Sequence, residues 1–215
     1  PKSFKTTWVL RTLSQGLLGQ PLWGVPGLYG AWRRIVAVLR EGSFHTWLRA
    51  LYPGQEECWY FWLGPLRLSD PASLEGFSRW LHTIRPDIVV LDPWAKFLDG
   101  DENDGATQRR ALDGIDQLQA QHPEVSWWIV HHTIKHGRAD SVSDTYLLSR
   151  GHSLLPAEVD GVFWLRRLDE NQESVVPRLW VVADGRGYSL SVREFLLERY
   201  GTEFVWVGQD PGGVG

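Results

Sequence analysis

The amino-acid sequence predicts an α/β fold with a mainly parallel sheet. As far as Val130, short apolar runs alternate with longer segments whose apolar residues recur at helical spacing, which is typical of consecutive strand and helix units. From about Val159 onwards, short strand-like runs are separated by turn sequences, which indicates antiparallel hairpins at the C-terminal end. We expect these hairpins to finish the same sheet.

Three apolar runs are predicted to be buried strands. Each is too short for a helix, rich in β-branched or aromatic residues and almost free of alternation, which is the pattern of strands covered on both faces. The runs are residues 35–39, 88–91 and 127–130.

Three longer segments are predicted to be helices. Residues 7–18 have apolar side chains at helical spacing, residues 71–84 follow Asp70 as a capping residue, and residues 105–121 follow an acidic turn that suits the helix dipole. Residues 13–32 are uncharged and reach membrane-spanning length, but they contain five glycines, two prolines and two glutamines. We therefore interpret this stretch as a helix end followed by a loop.

The C-terminal part is predicted to contain three short strands, at residues 161–168, 178–183 and 188–192. The residues after them, 209–215, are rich in glycine and proline and are predicted to form a flexible tail. Neither an internal repeat nor a low-complexity tract is visible in the sequence, so we assign residues 1–208 to one domain.

Composition excludes several classes of protein. The 215 residues are 43% apolar and carry a net charge of −4, which excludes a disordered chain and a polybasic nucleic-acid coat. A single cysteine, Cys58, excludes an internal disulfide framework and fits a reducing, cytoplasmic location. The chain lacks methionine and opens without a targeting pattern, so we expect it to be a segment of a longer protein.

Titratable side chains follow each of the three predicted buried strands. Glu41 comes after the first strand, Asp92 after the second, and the pair His131 and His132 after the third. Ligands of open α/β sheets bind beyond the carboxyl ends of the strands, so we expect these groups to converge on one crevice. Carboxylates and an imidazole together suit metal-assisted hydrolysis or transfer.

The first residues indicate which chemistry this is. The phosphate-binding loop motif ends in Gly-Lys-[Ser/Thr], and here Lys5 and Thr6 occupy the last two places while Phe4 stands where the second glycine is usual. Such a loop turns backbone N–H groups towards phosphate, with a lysine reaching the terminal phosphates and a hydroxyl on Mg²⁺. The leading glycine and its strand would lie upstream.

The sequence resembles the RecA-like ATPases of the type found in RepA-class hexameric helicases and in related mobile-element and phage ATPases. The resemblance covers residues 1–168 and rests on five ordered blocks: Pro-Lys-Ser-Phe-Lys-Thr-Thr, Arg-Glu-Gly-Ser, Val-Val-Leu-Asp-Pro with the acidic run after it, His-His-Thr-Ile-Lys, and Ser-Arg-Gly-His-Ser. It implies a RecA-like three-layer core. Loops without the last glycine occur among these relatives, so Phe4 is compatible with ATP binding.

The resemblance also implies roles for individual residues. The loop residues Pro1, Lys2, Ser3, Phe4, Lys5, Thr6 and Thr7 would bind ATP. Within them Lys5 would contact the β and γ phosphates, and Thr6 would ligate Mg²⁺ together with Asp92. Glu41 would polarise the attacking water as the catalytic glutamate.

Two further roles are implied near the third buried strand. His131 or His132 would sense the γ phosphate, and residues 133–149 would form a mobile loop facing the centre of a ring. Arg150 would act in trans on the ATP of a neighbouring subunit. Arg166, Arg167 or Arg178 remain alternatives for this arginine.

Simpler interpretations remain open for some of these residues. Glu41 could cap a following helix over residues 42–51. Asp92, which precedes Pro93, could serve as a turn-forming residue and have no role in metal binding. Adjacent residues on a strand point to opposite faces, so at most one of His131 and His132 can enter the site.

Of two metal-site interpretations, the zinc site is disfavoured and the calcium loop is rejected. His132 and His136 are four residues apart, a spacing that suits a zinc site on a helix. This segment is instead predicted to be the end of a strand followed by a loop. A calcium loop over residues 99–105 would need glycine at its sixth position and a glutamate where Arg110 stands. We interpret the acidic run as a solvated lead-in to the next helix.

The resemblance implies a Mg²⁺-dependent ATPase that assembles into a ring or filament and acts on DNA, with single-stranded DNA as the partner and no membrane involved. Charge alone supports DNA binding weakly, because Asp140 and Asp144 offset Lys135, Arg138 and Arg150. Two alternatives remain: a KaiC-like nucleotide-dependent assembly switch, and a non-catalytic module that keeps the ATPase fold.

Overall fold

The computed structural model describes residues 4–25, 27–42, 47–49, 51–131, 155, 158–168, 176–185 and 194–208. These residues belong to two compact units. The parallel-sheet unit comprises Trp32–Phe44 and Pro53–Glu158, and the antiparallel-sheet unit comprises Pro1–Ala31, His45–Tyr52 and Val159–Gly215. The predicted α/β class, with a parallel sheet and C-terminal antiparallel hairpins, is confirmed. The assignment of residues 1–208 to one domain stays a prediction.

The parallel-sheet unit contains a four-stranded sheet in the order β2-β1-β3-β4, with every neighbouring pair parallel. Its strands are β1 (Ile35–Leu39), β2 (Trp59–Phe61), β3 (Ile88–Asp92) and β4 (Ser126–Ile129). Every residue of β1 and β3 is buried, as their unbroken apolar runs predict. The sequence did not predict β2, because three residues are too few to show a pattern.

Two capped helices flank these strands in the sequence. Helix α2 (Pro71–Ile84) begins at Asp70, whose carboxylate accepts from the N–H groups of Ala72 and Ser73 at 3.2 and 3.3 Å. Helix α3 (Gly105–Gln121) begins in the same way at Asp104. Both helices have the predicted bounds, because a capping carboxylate satisfies N–H groups that the first turn leaves unpaired.

Two helical glycines allow a matched test of packing in this unit. A methyl group on Gly114 of α3 would collide with the backbone carbonyl of Leu68, whereas one on Gly76 of α2 would meet no atom within 4 Å. We expect Gly114→Ala to lower the free energy of unfolding by about 1–3 kcal/mol. Gly76→Ala should raise it by about 0.5–1 kcal/mol, because alanine favours the helix. Urea unfolding measures both, and equal effects would contradict the packing.

The antiparallel-sheet unit contains a second sheet, so the expectation that the hairpins finish the first sheet is wrong. Its described strands are β5 (Gly161–Arg167), β6 (Arg178–Gly185), β7 (Glu194–Tyr200) and β8 (Glu203–Gly208), joined in sequence order as antiparallel neighbours. Local patterns predict strands, but pairing partners depend on contacts between distant segments. The predicted strand at 188–192 and the tail at 209–215 lie outside the described residues.

Helix α1 (Lys5–Leu17) belongs to the same unit and starts two residues before its predicted start. Trp8 of this helix stacks on Trp23 with ring centroids 5.0 Å apart, and Trp23 stacks on Phe195 of β7 at 5.0 Å. Arg11 pairs with Glu203 of β8. These contacts attach α1 to the sheet, and they show that some of the 13 tryptophans of the chain serve core packing.

None of the helices within the described ranges is long and apolar enough to cross a membrane.

Candidate functional site

Asp92 ends the central strand β3 and is buried, with 6% of its surface exposed. Its register partner on β1 is Leu39, and the next residue, Arg40, donates its N–H to the Asp92 carbonyl at 2.8 Å. These backbone bonds fix the Asp92 carboxylate at the carboxyl edge of the sheet. A carboxylate buried at this place requires partners, which makes a turn-forming role alone an insufficient account of Asp92.

Glu41 lies two residues beyond β1 at the same edge and is exposed. Its Oε1 is 4.0 Å from Nζ of Lys96, and the side chains are 57% and 54% exposed. Lys96 ends a short 3₁₀ turn, Trp94–Lys96, that follows Asp92 and Pro93. The turn therefore brings a cation from the β3 side of the edge to the carboxylate on the β1 side. The alternative in which Glu41 caps residues 42–51 falls largely outside the described residues.

His131 lies two residues beyond β4 and is half-buried at the same edge. Two backbone hydrogen bonds of the preceding residue, Val130, hold it there. The Val130 N–H donates to the Leu91 carbonyl at 2.9 Å, and the Trp94 N–H donates to the Val130 carbonyl at 2.8 Å. The structure thus brings Glu41, Asp92 and His131 to one edge of one sheet. Their catalytic roles stay predictions, and His132 lies outside the described residues.

A buried hydrogen-bond chain supports this edge. The indole N–H of Trp94 donates to Oε1 of Gln108 at 2.9 Å, and Nε2 of Gln108 donates to the Glu102 carbonyl at 2.8 Å. Both Trp94 and Gln108 are 0% exposed. Buried polar groups that satisfy one another hold a single arrangement. These hydrogen bonds therefore connect helix α3 and the acidic run at residues 99–105 to the 3₁₀ turn that follows Asp92.

The acidic run at residues 99–105 acts as a helix start, as the sequence predicts. Asp104 accepts from Ala106 N–H, from Thr107 N–H and from the Thr107 hydroxyl, at 3.3, 3.0 and 2.8 Å. The hydroxyl bond is the main reason that the pKa of Asp104 is lowered. Within the ranges that the structure describes, no cluster of three or more His, Cys, Asp or Glu side chains could hold a metal ion.

Lys5 and Thr6 are the first two residues of α1, in the antiparallel-sheet unit. They lie in the first turn of the helix, at the end where the helix dipole is positive. The local structure is therefore that of an anion-binding helix start. Pro1, Lys2 and Ser3 lie outside the described residues. Because Lys5 and Thr6 belong to the other unit, their approach to Asp92 stays a prediction.

The chemistry of the predicted ligands fits Mg²⁺. Asp92 supplies a carboxylate oxygen and Thr6 a hydroxyl oxygen, both of the hard type that Mg²⁺ prefers. Mg²⁺ is usually held by one or two carboxylates together with substrate phosphates and water, so a site without a cluster of three acidic or imidazole groups is compatible with it. That Asp92 and Thr6 hold the ion stays a prediction.

The arginines considered for action in trans differ in their surroundings. Arg178 of β6 is paired with Glu198 at 3.1 Å, and Arg167 lies 5.5 Å from the centroid of the Phe4 ring. Arg150 and the side chain of Arg166 lie outside the described residues. The choice of Arg150 stays a prediction.

Sequence reasoning missed the residues that support the edge. Lys96, Trp94 and Gln108 belong to no motif, and their partners are 6 to 55 residues away in the chain. Only one signal was available: a large aromatic residue directly after an Asp-Pro pair that ends a buried strand. That signal indicates packing but does not identify the partner.

Comparison with known proteins identifies the family. The sequence profile of the AAA domain family matches residues 1–138. No curated protein sequence matches the chain. Among solved structures, a KaiC-like protein from the hyperthermophilic archaeon Pyrococcus horikoshii OT3 is similar over 94% of this chain and 83% of its own, with a TM-score of 0.55 and 14% sequence identity. At this identity the similarity shows the fold alone. The chain belongs to the AAA domain family of RecA-like P-loop ATPases.

Proposed function

We propose that this protein binds ATP with Mg²⁺ and hydrolyses it, and that hydrolysis drives work on DNA as a helicase-type motor or as a replication or recombination accessory. The observation that supports hydrolysis is the shared position of Glu41, Asp92 and His131 at one edge of a parallel sheet, in a member of an ATPase family.

Each residue has a distinct part in this proposal. Lys5 and the N–H groups that begin α1 bind the phosphates, and Asp92 and Thr6 hold Mg²⁺, which neutralises phosphate charge when bound. Glu41 is exposed at the carboxyl edge of the sheet, so a water molecule can reach its carboxylate. It can therefore orient a water molecule and accept its proton. His131 or His132 senses the γ phosphate.

Work on DNA and assembly into a ring or filament are supported by the sequence resemblance. In that arrangement Arg150 completes the site of a neighbouring subunit, and residues 133–149 contact single-stranded DNA. The net charge of −4 makes non-specific attraction to DNA weak. Binding would therefore depend on several subunits that contact one strand together.

The test of this function is ATP turnover with and without single-stranded DNA. We expect a single-stranded oligonucleotide to raise the steady-state rate severalfold, because binding along the strand would order the loops that complete each site. The rate of Lys5→Ala under the same conditions gives the background, and duplex DNA at equal phosphate concentration gives the control for charge.

Other outcomes separate the alternatives. Turnover that no nucleic acid changes, together with an ATP-dependent shift in oligomeric mass, would favour the nucleotide-dependent assembly switch. An absence of ATP binding by the wild-type protein would favour the non-catalytic module.

A further inference from the structure

Phe4 stands where phosphate-binding loops usually carry their second glycine, and its backbone explains why a side chain is tolerated there. It lies directly before α1, with φ −71° and ψ 10°. Glycine is required where φ is positive, and this φ is negative. The Phe4 carbonyl accepts the N–H of Trp8 at 2.7 Å. Phe4 therefore starts the helix without backbone strain.

The ring of Phe4 is held by two guanidinium groups. The guanidinium carbon of Arg199 lies 3.8 Å from the ring centroid and that of Arg167 lies 5.5 Å away. Both distances are within the range of cation–π attraction. Arg199 is on β7 and Arg167 ends β5, and these strands flank β6 in the sheet. The ring therefore joins the start of α1 to two strands.

Arg199 is itself fixed in place. Its Nε donates to the Gly201 carbonyl at 2.6 Å, and its side chain is half-buried. Burial, followed by the positive charge of Arg167, lowers the pKa of Arg199. Arginine nevertheless remains a cation in proteins. A partly desolvated cation attracts an aromatic face more strongly than an exposed one does.

We propose that Phe4 is a positioning residue whose ring, clamped by Arg199 with Arg167 beside it, fixes the first turn of α1 and thereby orients Lys5 and Thr6 for phosphate. This inference rests on the proposed function, since it assumes that Lys5 and Thr6 bind nucleotide. It also reverses the expectation from the motif. Restoring the usual glycine with Phe4→Gly should weaken nucleotide binding instead of improving it.

The kinetic test compares Phe4→Gly, Phe4→Leu, Phe4→Tyr and Arg199→Ala in the full-length protein. We expect the KM for ATP and the Kd of a fluorescent ATP analogue to rise about tenfold for Phe4→Gly, Phe4→Leu and Arg199→Ala. The value of kcat should change much less, because ground state and transition state lose the same contact. Phe4→Tyr keeps the aromatic face and should match wild type. Glycine is accepted at helix N-caps, so Phe4→Gly should fold.

A second measurement needs no nucleotide. Amide hydrogen exchange over residues 8–11, which begin the hydrogen-bonded part of α1 at the bond from Trp8 N–H to the Phe4 carbonyl, should accelerate severalfold in Phe4→Gly, Phe4→Leu and Arg199→Ala, and stay at the wild-type rate in Phe4→Tyr. If wild type fails to bind ATP, the proposed function fails, and the exchange pattern alone decides whether the clamp exists. The proposal is overturned if Phe4→Gly binds ATP as tightly as wild type, if Phe4→Leu behaves like Phe4→Tyr, or if exchange is equal in all variants.

Discussion

Replacing Glu41 with glutamine is expected to lower the rate of ATP hydrolysis about a hundredfold or more while ATP binding stays close to wild type. Glutamine keeps the size of the side chain but cannot accept a proton from water. The carboxylate is exposed and 4.0 Å from Lys96, and exposed ion pairs contribute about 0–1 kcal/mol. The variant should therefore fold normally. Steady-state turnover and fluorescent-ATP binding measure the two effects separately.

The matched control for this prediction is Glu57→Gln. Glu57 is another exposed glutamate of the parallel-sheet unit, in the 3₁₀ turn Glu56–Cys58 before β2. Its replacement removes the same charge from the same unit and should leave turnover unchanged. If Glu41→Gln hydrolyses ATP at the rate of Glu57→Gln, then Glu41 is not the catalytic glutamate.

Replacing Lys5 with alanine should abolish measurable turnover, with a fall of roughly a thousandfold, and should also weaken ATP binding. Lysine at this position supplies a positive charge to the terminal phosphates, both in the bound nucleotide and as charge develops during transfer. Alanine favours the helix that begins here, so α1 should persist. Binding of a fluorescent ATP analogue and steady-state turnover test both parts.

Two further variants control for charge. Lys5→Arg keeps the positive charge but not the compact ammonium group, and should recover part of the binding. Arg79→Ala removes an exposed cation from α2, and should have no effect on ATP. Wild-type affinity and turnover in Lys5→Ala would contradict the assignment of residues 1–7 to a phosphate-binding loop.

Much of the fold was predictable from local patterns. The strands at residues 35–39 and 88–91 and the helices α2 and α3 have the predicted bounds within a residue. Capping by Asp70 and Asp104 explains this accuracy, because a cap depends on residues two or three positions apart. The strand β2 and the separation of the two sheets were not predictable in this way. They depend on pairing between segments that lie far apart in the sequence.

The position of the candidate site was predictable from the sequence, whereas the roles of its residues were not tested. Sequence alone placed Glu41, Asp92 and His131 at the ends of parallel strands, and parallel strands end at one edge, so their shared position followed from the pattern. The prediction that all three strands are buried is correct for β1 and β3 but wrong for β4, which has one exposed and three half-buried residues. The roles of these residues in catalysis remain predictions.

The sequence by itself determined the α/β class, the strands β1, β3 and β4 with the helices α2 and α3, and the three polar groups at the carboxyl edge, because burial and capping leave a periodic trace among neighbouring residues. Only the tertiary structure decided that the hairpins form their own sheet, that Lys96 approaches Glu41, and that Arg199 clamps Phe4. The two side-chain contacts join residues that are 55 and 195 positions apart. Such pairs leave no periodic pattern, since they form only when packing brings distant segments together.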